Sequence, residues 1–277
     1  MKPNFITLRV WGDFACFTRP EMKVERVSYP IMTPSAARGI LEAIFWEPQM
    51  FYLIDSIRIV KRGRWVSFRR NEVTKVISLD SAKTWMSAPE KTTPIQAGGG
   101  ASDGTQRNML ALQDVEYLIT AEVRVTPLAN RPEDKLEKYL AEVERRARSG
   151  KCFHRPGLGM REFAADFEWE DEADGALQRR ASELGKPAGQ FTEDIGLMLY
   201  DVFNHRERAE GFRWLRDSEI SNPPPKGRVK KTAAQPPRWT RPPIIPHPAF
   251  FHAKIESSRM DCHPDRVHIL SSQTGGN

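Results

Sequence analysis

The sequence predicts an α+β fold, in which a β-sheet is backed by two helices and followed by a smaller β-rich region. Three patterns carry that expectation. "FITLRVWG" and "VEYLITAEVRV" alternate apolar and polar residues with the period of two that marks a strand with one buried face. "TPSAARGILEAIF" and "KLEKYLAEVERRAR" repeat their apolar residues at helical spacing. From about Ala173 only short apolar stretches between turns remain.

Taken in order, Ile6, Leu8 and Val10 against Thr7, Arg9 and Trp11 give the first strand. Thr33 and Pro34 suit the cap and first position of a helix whose buried face is Ala37, Ile40, Leu41 and Ile44. That helix is expected to end in Phe45-Trp46, before Pro48. Two adjacent aromatics on a helix cannot share one core, so one of them is expected to serve a site. Tyr52 to Val60 is a second strand, and Val115, Tyr117, Ile119, Ala121, Val123 and Val125 share one face of a third. A second helix opens near Pro132-Glu133-Asp134, where acids suit the positive end of the dipole. Its stripe is Leu136, Leu140, Val143 and Ala147, and Gly150 terminates it. Arg161 to Trp169 supplies a fourth strand.

This order, βαββαβ, is the split βαβ of a ferredoxin-like fold, the topology that also underlies the RNA-recognition module. The predicted division is a ferredoxin-like, RRM-like domain over residues 1–172 and a small β-rich region over 173–277. A Gly-, Thr- and Pro-rich stretch at 86–109 reads as a long loop, which inside a compact domain is functional or disordered. "FTEDIGLMLYDVFN" and "FFHAKIESSRM" read as short C-terminal strands.

Bulk properties narrow the function. The chain has 277 residues, 39% hydrophobic and 28% charged, and no apolar run approaches the roughly 18 residues that span a bilayer. No signal peptide is visible at the N-terminus, so a cytoplasmic protein without membrane contact is expected. Three separated cysteines suggest neither disulfides nor a CxxC metal site. His154 follows Cys152 by two residues, and Cys262-His263 precedes His268, but standard zinc spacing is not completed, so no metal and no cofactor is expected. A nucleophile elbow and a P-loop are both absent, since "AGGGASDG" lacks the following Lys-Ser/Thr.

The net charge of +6 suits an anionic partner. Between Pro223 and Pro243 lie six basic residues, seven prolines and no acid, which reads as an extended phosphate-contacting loop or a plain linker. Lys61, Arg62, Arg64, Arg69, Arg70 and Lys75 form a second basic cluster opposed by Glu72. In "GKCFHRPGLGMREF", three glycines flanked by Lys151, His154, Arg155 and Arg161 admit either a phosphate contact or a tight helix-to-strand connection.

Four stretches, "MKVERVSYPIMTPSAARGILEAIFWEP", "RRNEV", "KYLAEVERRARSGKCFHRPGLGMREF" and "DIGLMLYDV", together resemble the CRISPR-associated family Cas five of subtype I-C, the Dvulg subtype. The resemblance covers most of residues 1 to 204. It implies a ferredoxin-like domain with a small β-domain, and an endoribonuclease that cleaves repeat hairpins of precursor crRNA without metal, by attack of the ribose 2′-hydroxyl to leave a cyclic phosphate. It also implies that the protein stays on the 5′ handle as a Cascade subunit in antiviral defence. The family's catalytic tyrosine falls on Phe45, its lysine on Lys138 and its histidine on Tyr139. The resemblance therefore implies Lys138 as phosphate-stabilising cation, Tyr139 as proton-transfer group and Phe45 as a stacking wall. Lys23, Arg26, Arg38, Arg69, Arg70, Arg107, His154 and Arg155 are candidates to hold RNA, with Trp11, Tyr29 and Trp46 as stacking surfaces. The alternative is a catalytically silent handle-binding subunit, and a contact with double-stranded DNA is compatible with the basic Pro-rich loop. Tyr139 also adjoins the apolar stripe, which makes it a core candidate.

Overall fold

The computed structural model describes residues 4–98, 100–211 and 247–271. The predicted basic loop at 223–243 lies outside them. At the centre are β1 (Phe5–Ala15), β3 (Met50–Lys61), β5 (Gly104–Val125) and β6 (Asp166–Glu170), in the spatial order β6-β1-β5-β3 with every neighbour antiparallel. Helix α1 (Pro34–Ile44) joins β1 to β3, and α3 (Leu136–Arg148) joins β5 to β6. The result is a mixed α/β fold built on an antiparallel sheet.

The alternation read in the sequence sets the two faces of that sheet. Leu8, Val10, Tyr117, Ile119 and Val123 are buried with Ala37, Ile40, Leu41 and Ile44 of α1 and with Tyr139, Val143 and Ala147 of α3. The residues between them point the other way: Leu118 and Val60 pack under Ala176 and Leu177 of α4 (Ala173–Glu183). Polar members of this second face are buried as ion pairs. Glu116, 2% exposed, accepts from Arg9 and Arg180. The sheet face that an RNA-recognition module would leave open is thus partly covered by α4.

Two expectations need correction, and one strand is added to them. The stretch 86–109 is not one loop: α2 (Leu79–Ser87) ends inside it and β5 begins at Gly104. The basic cluster after β3 is itself a strand, β4 (Arg64–Val73), paired along the first half of β5, with short β2 (Arg26–Val27) on β5's other side. Strand β5 spans both pairings because Asp114, at φ 58, lies where β4 ends its pairing and the central sheet takes over. The C-terminal region is less purely β than predicted. It contains α4 and α5 (His205–Ala209) beside β7 (Glu193–Asp201), β8 (Ala249–Glu256), β9 (Arg259–Asp261) and β10 (Ile269–Ser271), and β9 hydrogen-bonds to β3. Helix α4 begins where Glu172 accepts from the backbone of Asp174 and Gly175.

Candidate functional site

Helix α1 starts as predicted, with Thr33 accepting from Ala36 N at 3.2 Å and Pro34 in the first turn. It stops at Ile44, two residues before the expected end at Trp46. Phe45 is already extended (φ −156, ψ 130), so Phe45 and Trp46 diverge by strand-like backbone rather than by opposite helix faces. Phe45 turns inward at 6% exposure, whereas Trp46 is left 42% exposed.

The last carbonyls of a helix lack intrahelical donors and must find others. Here Phe153 N donates to Ala43 O and Ile44 O, and His154 N donates to Ala43 O at 2.9 Å. The chain after α3 is thereby fixed across the end of α1. This brings Trp46, Phe153 and His154 to the rim of a cavity of about 250 Å³. Phe153 is 73% exposed, and His154, also exposed, meets its ring edge-on at 4.5 Å between centroids. Arg155 is exposed next to it, 3.7 Å from Asp166.

The floor of the cavity is charged and self-compensated. Arg38 donates to Asp201 at 2.7 and 3.0 Å and to Glu42 at 2.6 Å, while Arg208 donates to Glu42 at 2.8 Å and to Tyr52 O. Burial opposes the charge of Arg38, but Asp201 and Glu42 more than offset it and hold its pKa above the ordinary arginine value. Arg38 is a buried ion-pair residue and not a phosphate ligand. Tyr29 is likewise corrected: it is 1% exposed and its hydroxyl accepts from Leu199 N, so it offers no stacking surface.

The three positions carried over from the family do not form one open constellation. Phe45 is buried beneath Arg146, whose guanidinium lies 5.1 Å from its ring centre, so it is no stacking wall. Tyr139 is 0% exposed and donates its hydroxyl to Asp134 at 2.9 Å. Buried and committed to Asp134, its hydroxyl cannot reach a ribose, and burial and the Asp134 carboxylate both raise its pKa. Asp134 itself lies before α3 rather than in its first turn. Lys138 alone stays accessible, its side chain 46% exposed and 3.6 Å from Asp134. It precedes Arg146 by two helical turns, about 12 Å along the axis at 1.5 Å per residue.

The remaining basic candidates cluster around β4. Arg70 and Arg107 face each other across the β4–β5 pairing, with Arg26 on β2 beside them. Each has an acid at hand: Glu72 and Glu162 for Arg70, Glu25 for Arg107, Glu72 for Arg26. Arg69 and Lys23 are exposed. Trp11 is half-buried under Arg9, 4.0 Å from its ring centre. The glycines of "RPGLGM" serve packing: Cys16 N donates to Leu158 O at 3.0 Å, and a Cβ on Gly159 (φ +84) would come 2.2 Å from Cys16 O. Sequence reasoning missed Phe153 and Arg146. Phe153 carried a signal as a bulky apolar residue between Cys152 and His154 in a polar loop, whereas nothing in the sequence set Arg146 apart from Arg145 and Arg148.

Among the described residues no group of three or more His, Cys, Asp or Glu side chains is placed to hold a metal ion, and no helix is long and apolar enough to cross a membrane. Fold and site define a mixed α/β protein that presents exposed aromatics, an imidazole and cations at one helix end. The model of the family described as CRISPR-associated protein (Cas_Cas5), in its Cas5d form, matches residues 5–234, and the chain belongs to this family. It is 42% identical over 226 residues, 80% of this chain and 96% of the other, to a protein of Mannheimia succiniciproducens named CRISPR pre-crRNA endoribonuclease Cas5d. A Thermus thermophilus protein of the same name is 35% identical over 265 residues, 96% of this chain and 94% of its own. A solved structure described as a CRISPR-associated protein has the same fold, with a TM-score of 0.53 at 16% identity, covering 93% of this chain and 90% of that one.

Proposed function

We propose that this chain is a pre-crRNA endoribonuclease of CRISPR defence that cuts repeat hairpins and then stays on the 5′ handle as a subunit of the type I-C Cascade, in the cytoplasm. The observation that carries this reading is the 42% identity held over 96% of the length of a relative named for that activity. The ferredoxin-like arrangement belongs to the same proposal, and the β6-β1-β5-β3 order with α1 and α3 as crossovers supports it. In the proposed chemistry the 2′-hydroxyl displaces the 5′-oxygen of the next nucleotide, leaving a cyclic phosphate and a 5′-hydroxyl. Lys138, cationic and accessible, stabilises negative charge on the phosphate.

A second reading is a silent handle-binding subunit, favoured by a cleft in which Phe45 has no hydroxyl and Tyr139 is buried. Contact with duplex DNA belongs to that reading. Incubating the purified protein with a repeat hairpin in the presence of chelator separates the two. Cleavage to a cyclic-phosphate product, weakened by Lys138→Ala, supports the endoribonuclease. Tight binding with intact RNA recovered at every protein concentration supports the silent subunit.

A further inference from the structure

We infer that His154 is the proton-transfer residue of this chain, taking the 2′-hydroxyl proton in place of the family histidine that Tyr139 replaces. The inference rests on the endoribonuclease reading above and adds the residue that performs its first step.

Transfer of the proton requires a side chain that is open to solvent, held in place and able to take a proton near neutral pH. Tyr139 fails the first condition and Phe45 has no exchangeable proton. Of the six histidines, five lie at position 205 or beyond, and His154 is the one placed at the end of α1. Its backbone is anchored through Ala43 O and its ring is braced by Phe153, so an exposed imidazole is nonetheless positioned.

Its neighbours fit an RNA substrate. Trp46 and Phe153, which line the same cavity as His154, are large aromatics left exposed, the kind of surface on which unpaired bases stack. Arg155, on the next residue, faces solvent and can grip the adjoining phosphate. A base stacked on Trp46 places its ribose against His154. The 2′-oxygen then bonds to phosphorus as its proton passes to the imidazole, the bond from phosphorus to the 5′-oxygen breaks, and the leaving oxygen takes a proton from water. His154 returns its proton to solvent, and no electron changes hands.

The test is single-turnover cleavage of a repeat hairpin by full-length protein at saturating concentration, with binding measured separately. His154→Gln is expected to lower the rate about a hundredfold or more while hairpin binding and thermal unfolding stay at the parent values. Free imidazole is expected to restore part of the rate to His154→Ala but none to Lys138→Ala. Cleavage by His154→Gln at the parent rate overturns the inference and leaves the endoribonuclease reading standing. Parallel loss of binding and rate also overturns it, since His154 would then only hold RNA. Absence of cutting by the unmodified protein removes the endoribonuclease reading itself, and this inference with it.

Discussion

The hydroxyl of Tyr139 has a structural partner in Asp134, and both groups show the effect in their titration. Burial and Asp134 push the tyrosine up, while for Asp134 burial also acts upward but Tyr139, Arg131 N and Lys138 together outweigh it and hold the carboxyl low. Removing that hydroxyl removes one side-chain hydrogen bond, worth about 1 kcal/mol, and leaves Asp134 with Arg131 N and Lys138. Tyr139→Phe is therefore expected to lower unfolding stability by about 1 kcal/mol and to leave hairpin cleavage at the parent rate. Chemical denaturation and a cleavage time course check the two halves. A collapse of cleavage without loss of stability would return Tyr139 to the chemistry. Arg38 is the parallel case, a residue that resembles a phosphate ligand in sequence but completes an ion pair with Asp201, 163 positions away in the chain.

Helix α3 carries its own pH dependence. The carboxyl of Glu142 accepts from Arg145 and Arg146, which lowers its pKa to about 2 from an ordinary 4.5. A folded-state pKa below the unfolded one gives stability that is present above the unfolded value and is lost as pH falls through the folded one. The helix should accordingly lose this contribution between pH 4.5 and about 2. Glu142→Gln is expected to flatten the acid limb of stability in that window, as followed by circular dichroism. The elements were unequally legible in the sequence, for a physical reason. Strand β1, helix α1 and the second half of β5 each bury one face, so their period shows. Strand β4 alternates as well, with Val66 and Phe68 packed beneath and Trp65, Ser67 and Arg69 exposed, but Arg70 and Glu72 continue its inner row and charge hides the period. The start of α3 was misplaced because Pro132-Glu133-Asp134 looks like a helical first turn, whereas Asp134 folds back onto Tyr139. Of the site, Trp46 and His154 could be named, but their meeting depends on backbone bonds to Ala43 and Ile44 that no local pattern encodes.

Across the whole molecule, one apolar cluster runs from Leu8 and Ile40 to Phe251 and Met260, so the helix end that carries His154 is supported from both halves of the chain. Charge is distributed differently. Of the basic side chains expected to meet RNA, Arg38 is buried and Arg26, Arg70 and Arg107 are part-buried against carboxylates, whereas Lys138 and Arg155 stand further into solvent, each beside a single acid, and Lys23 and Arg69 are exposed. Affinity for a nucleic acid falls with salt in proportion to the phosphates neutralised, with a slope of about 0.7 per contact on single strands and about 0.9 on duplex. A cation held part-buried against two carboxylates, as Arg70 is, displaces few counterions, whereas one 72% exposed, as Arg155 is, can turn to a phosphate. Arg155→Ala and Arg69→Ala are therefore each expected to flatten the plot of log affinity against log salt for a repeat hairpin by roughly 0.7 to 0.9. Arg70→Ala, which also frees Glu72 and Glu162 from their partner, is expected to weaken binding without that change in slope. Fluorescence anisotropy titrations over a salt series measure all three. Equal slopes for the three variants and the parent would mean that the RNA is held elsewhere on the surface.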